Sequence, residues 1–150
     1  MFEYIIDENV KQGMVEMEQL DLFDLISERH GTIRRMLEEK WNEMSDISIS
    51  NSEWYIMSKV NKNQPTISMV AKNVQISRQA AHKFIKKLES KGLVEVVPGS
   101  NNRDKCIQLT NLGQICVDKY IVLKRTIESK ISEKIDIEQL KTILKSDWGI

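Results

Sequence analysis

The segment SRQAAHKFIKKLES, residues 77–90, gathers side chains suited to one kind of chemistry. Gln79, His82, Lys83 and Lys86 recur at spacings that place them on one face of a 3.6-residue helix, with Arg78 and Lys87 at its edges and no acid among them. Every side chain on that face donates hydrogen bonds. Ammonium and guanidinium groups neutralise phosphates, and Gln or Arg pairs with the edges of adenine or guanine in a major groove. Arg78 and Gln79, at the N-terminal end, are the candidates for base readout. His82, Lys83 and Lys86 are candidates for bridging bases and phosphates, and Ser68 and Ser77 for hydroxyl contacts to the backbone of a duplex.

A polyanion-binding face needs local positive charge, and the overall balance hides it. The 150 residues carry 22 Lys+Arg and 22 Asp+Glu. Residues 1–65 are net −6, residues 66–105 net +5 and residues 106–150 net +1. One basic module on an acidic or neutral body is the pattern of a protein that docks on a polyanion through part of its surface.

The elements around the segment explain how it would be held. Ala81, Phe84, Ile85 and Leu88 fall at i, i+3, i+4 and i+7 on the opposite side and form a core stripe. A second helix, predicted over residues 68–73, precedes it with only Val74, Gln75 and Ile76 between them, which defines a helix-turn-helix. Gly92 stops the second helix, then LVEVV (93–97) and KCIQL (105–109) read as two strands around a turn-rich loop. That hairpin would project Asn102, Arg103 and Lys105 toward a duplex. Upstream, Phe23, Ile26, His30, Ile33, Leu37, Trp41 and Met44 mark a long amphipathic helix over residues 16–44, with a bend or close approach expected at Gly31. A helix capped by Ser50 or Ser52 runs to about residue 61, where NKNQP breaks the chain. Thr110 caps a long helix to about residue 134, and a last helix covers about 136–145. The fold class expected is mainly α with a small β-hairpin wing, a winged helix-turn-helix in one domain. The DNA-binding lobe spans about 50–110, and dimerisation helices span about 1–45 and 111–150.

The order helix-turn-helix, glycine stop, strand, basic loop, strand, helix resembles the MarR family of winged-helix transcription regulators. The matching run is ISRQAAHKFIKKLESKGLVEVVPGSNNRDKCIQLTNLG, residues 76–113, and the helices outside it fit in number and order. Two positions depart from the family pattern. Asn101 stands where the wing usually has an Asp two residues before the arginine matched by Arg103, and Gln75 stands where the turn often has Gly. A left-handed backbone at Gln75 costs about 1–2 kcal/mol. The resemblance implies that Arg103 enters a minor groove, that the chain is a homodimer on a pseudo-palindromic operator, and that it represses transcription. Apolar stripes near both ends agree with a second subunit, through Ile5, Ile6, Met14, Met17, Ile137, Leu140, Ile143, Leu144 and Trp148. The resemblance also implies a small-molecule effector, for which His30, Ile33, Trp54, Met57 and Tyr120 are the candidate pocket.

Other functions lack their residues. No nucleophile, base and orienter group together and no phosphate-binding glycine loop is present, so no enzyme is expected. Cys106, Cys116, His30 and His82 lack metal-ligand spacing, and neither a metal nor a cofactor is expected. A redox role for Cys116 or Cys106 is disfavoured, because a buried thiol without a nearby cation is inert. No apolar run is long enough for a membrane span and the start carries acids instead of a basic leader, so a cytoplasmic protein with no membrane partner is expected. The competing readings are a winged-helix module that binds protein, which would have a neutral or apolar recognition face, and a DNA-binding regulator that senses no ligand.

Overall fold

The computed structural model describes residues 19–99 and 104–150. Helix α1, Leu22–Met44, begins later than its apolar period suggests, because the Asp21 carboxylate accepts the Asp24 N–H at 2.9 Å and caps the helix there. It runs unbroken through Gly31, where, among the described residues, an added Cβ would meet only the Arg35 side chain. The described residues divide into two units, with the division between Glu39 and Lys40, within this helix.

In the second unit, α2 (Asn51–Val60) opens with a reciprocal capping box: Ser50 Oγ accepts the Glu53 N–H and Glu53 Oε1 accepts the Ser50 N–H. Thr66 caps α3 (Ile67–Asn73) and Ser77 caps α4 (Arg78–Ser90). Strands β1 (Val94–Pro98) and β2 (Lys105–Leu109) pair antiparallel, Val94 opposite Leu109 and Pro98 opposite Lys105. The stretch read as a mere break adds to this sheet. Thr66 bridges Cys106, and the Pro65 carbonyl accepts the Ile107 N–H at 2.8 Å. Thr110 caps α5 (Asn111–Ser132), and Asp136 caps the last helix, α6 (Ile137–Lys145).

The core of this unit lies between α2, α3, α4, the hairpin and the first half of α5: Ile56, Met57, Val70, Ala81, Ile85, Leu88, Leu93 and Ile107 are buried. Trp41, Trp54 and Tyr120 close one side. Trp54 and Tyr120 stack with ring centroids 3.9 Å apart, and Trp41 stands edge-on to Trp54 at 4.8 Å.

Candidate nucleic-acid interface

Helix α4 is held by its apolar stripe. Ala81, Ile85 and Leu88 are at most 2% exposed, Phe84 is half-buried, and this seating turns Gln79, His82, Lys83 and Lys86 to solvent. With Ser77 and Ala80 these four line a shallow groove of about 610 Å³ along the helix. Ser77 Oγ accepts the Ala80 N–H at 3.0 Å, so its hydroxyl both caps the helix and borders the groove. Arg78 reaches across the turn and donates to Ser68 Oγ on α3, which joins the two helices of the pair at their exposed edge. Lys105 is exposed at the start of β2. Asn102 and Arg103, with Asn101, lie outside the described residues.

Among the described residues none of Arg78, Lys83, Lys86 and Lys87 is ion-paired. Their charge is therefore not cancelled locally, and a polyanion would meet it directly.

The turn ahead of α4 has the strain anticipated for a non-glycine residue. Gln75 sits at φ 56°, its N–H donating to the Lys72 carbonyl at 3.3 Å while Ile76 N–H donates to Ala71 at 3.0 Å. At the other end Gly92, at φ 73°, makes the same pair of closures, to Glu89 and, through Leu93, to Leu88.

Two participants escaped the sequence reading. Lys91, the C-cap of α4, places Nζ 2.9 Å from both oxygens of Glu53 and 2.6 Å from the Ser48 carbonyl oxygen. Burial pushes the Glu53 carboxyl up, but the Lys91 ammonium and the Ser50 N–H hold it below the usual carboxylate range. The capping-box spacing S-x-x-E from Ser50 is a local signal that could have found Glu53, whereas nothing local marks a partner 38 residues away. Gly113 is the other: a Cβ there would overlap the Leu93 carbonyl oxygen, so only glycine lets α5 cross the entry to β1.

The candidate ligand residues are placed differently from one another. His30 and Ile33 are exposed on α1, in the first unit, and Trp54, Met57 and Tyr120 are buried in the second. Burial pushes the Cys116 thiol up against the weaker pull of Lys119, which favours the thiol over the thiolate. Among the described residues no helix is long and apolar enough to cross a membrane, and no group of three or more His, Cys, Asp or Glu is placed to hold a metal ion.

A capped helix pair, a glycine stop and a hairpin pinned to the start of α3 define a winged helix-turn-helix. No family model and no curated protein matches the chain. Solved structures do. MepR, a transcription regulator of the Staphylococcus aureus multidrug efflux pump MepA, is similar with a TM-score of 0.67 and 18% identity, over 83% of this chain and 94% of MepR. Wild-type apo MarR from E. coli gives 0.65 and 19%, over 83% and 92%. The M. tuberculosis transcriptional regulator MosR, in complex with DNA, gives 0.63 and 16%, over 83% and 91%. The chain thus has the fold of the MarR-type regulators that its residues 76–113 resemble.

Proposed function

We propose that the protein is a sequence-specific, double-stranded DNA-binding transcription regulator of the MarR type, a homodimer that represses from a pseudo-palindromic operator and is released by a small ligand. The observation that carries this reading is the face of α4: four hydrogen-bonding side chains share one open groove, flanked by cations without ion-pair partners among the described residues. Structural neighbours captured on DNA, MosR and MepR, support the same use of the fold. Homodimer formation is supported by α6, where Leu140, Ile143 and Leu144 are exposed and no residue is buried. Ligand release is supported by the family resemblance and by the aromatic cluster, where Trp54 Nε1 is buried and has no hydrogen-bond acceptor among the described residues.

Selection of duplexes from a random-sequence library, followed by binding titrations at several salt concentrations, tests the reading. The logarithm of affinity should fall steeply with the logarithm of salt concentration, and Lys83→Ala/Lys86→Ala should reduce that slope by about 1 for each lysine removed. A flat salt dependence, or failure to enrich any duplex, would overturn it in favour of a protein-binding module.

A further inference from the structure

We propose that Lys91 and Glu53 are positioning residues for base readout, the ion pair between half-buried Lys91 and buried Glu53 setting the attitude of the recognition helix α4 against the connection that leaves α1. The inference rests on the reading of the chain as a sequence-specific DNA binder and names the groups that make specific contacts sharp.

Glu53 is 1% exposed and is the one buried charged side chain among the described residues. The three N–H groups of the Lys91 ammonium match three acceptors, the two Glu53 oxygens and the Ser48 carbonyl. Glu53 in turn accepts the Ser50 N–H at 3.1 Å, so the carboxylate is held by both the start of α2 and the end of α4. The connection itself is braced on its other side, where Trp41 Nε1 of α1 donates to the Ile47 carbonyl at 2.7 Å and Ile49 is buried. A chain of directional contacts therefore runs from the last turns of α1 through residues 47–50 to the C-terminus of the recognition helix.

Apart from the exposed Arg78 to Ser68 hydrogen bond at its N-terminal end, the side-chain grip on α4 is apolar, through Ala81, Ile85 and Leu88, and apolar contacts do not fix direction. Lys91 and Gln79 are separated by about 18 Å along the helix axis at 1.5 Å per residue. Pivoting the helix by about 10° at its C-terminus displaces Gln79 by roughly 3 Å, far outside the range of a 2.7–3.2 Å hydrogen bond. Attraction of Lys83 and Lys86 to phosphates falls only as the inverse of distance and survives that shift. Loss of the pin should thus erase discrimination among sequences while sparing general affinity for DNA. Buried ion pairs contribute little net stability compared with apolar replacements, so a role in fixing geometry accounts better for this one.

The test compares binding to a duplex selected by the wild-type protein from a random library with binding to a scrambled duplex of equal length. Lys91→Met alone strands a buried carboxylate and endangers folding, so the informative variant is the double change Glu53→Gln/Lys91→Met, which keeps an acceptor for Ser50 N–H and buries no charge. It should bind the selected duplex about tenfold or more weakly, bind the scrambled duplex within about twofold of wild type, and keep the wild-type salt slope. Lys91→Arg, which preserves the ion pair, should recover most of the discrimination. Equal loss on both duplexes, or full discrimination in a folded double variant, overturns the inference. If the wild-type protein enriches no duplex, the functional reading fails first, and the two failures are distinguishable.

Discussion

In residues 49–120 the apolar side chains of several elements meet one another: Ile49, Met57, Val70, Ala81, Leu88, Leu93 and Ile107 are all at most 5% exposed. Helix α6 has an apolar face just as regular, yet Leu140, Ile143 and Leu144 are 40%, 50% and 60% exposed and nothing in the helix is buried. Among the described residues the polar contact that ties α6 to α5 is Lys141 to Glu128 at 2.6 Å, an exposed pair that solvent screens. The lobe around α4 therefore closes on itself within one chain, whereas α6 holds apolar area for something else to cover. On the proposed reading, the first region keeps the recognition helix in shape and the second is where two copies would meet.

The sharpest way to break the self-closed side of this comparison is at Gly113. Alanine there places a methyl group against the Leu93 carbonyl, and α5 must lift from β1 to admit it. Gly113→Ala should destabilise the lobe by about 3 kcal/mol or more, read from the denaturant midpoint, since overpacking against backbone has no flexible side chain to absorb it. An unchanged midpoint would mean that the crossing of α5 over β1 does not limit how the lobe closes.

The open side is tested by Ile143→Glu/Leu144→Glu. Both positions are exposed in one chain, so the helical content should be retained. Light scattering should report a monomer where the wild type reports a dimer, and affinity for a selected two-half-site duplex should fall about 100-fold, because two linked recognition helices bind with an effective concentration that one lacks. A variant that stays dimeric would place the second subunit elsewhere and undo the contrast between lobe and α6.

Much of the lobe was legible in the sequence because its signals are local. The stripe Ala81, Phe84, Ile85, Leu88 fixes the inner face of α4, and Ser50, Thr110 and Gly92 mark ends that the structure keeps. What was illegible depends on tertiary contact or on a competing cap. Period alone carried α1 back to residue 16, while the Asp21 cap starts it at Leu22. Pro65 reads as a breaker because it has no N–H, yet its carbonyl remains free to accept Ile107 N–H in the sheet. Lys91 looks like one more solvated lysine until the fold brings Glu53 and Ser48 to it.

The finest distinction lies inside the lobe, between the left-handed turns that close α3 and α4. Gln75 at φ 56° and Gly92 at φ 73° close their helices with the same pair of backbone hydrogen bonds, but a side chain at the first collides with its own carbonyl and glycine at the second does not. Relief of about 1–2 kcal/mol in the folded state is partly offset by about 0.5–1 kcal/mol for the greater freedom of glycine when unfolded. Gln75→Gly should therefore raise stability by about 0.5–1 kcal/mol, a small upward shift of the denaturant midpoint with no change in its slope. A loss of stability instead would mean that the Gln75 side chain, exposed at the edge of the helix pair, holds the turn more firmly than its backbone strain loosens it.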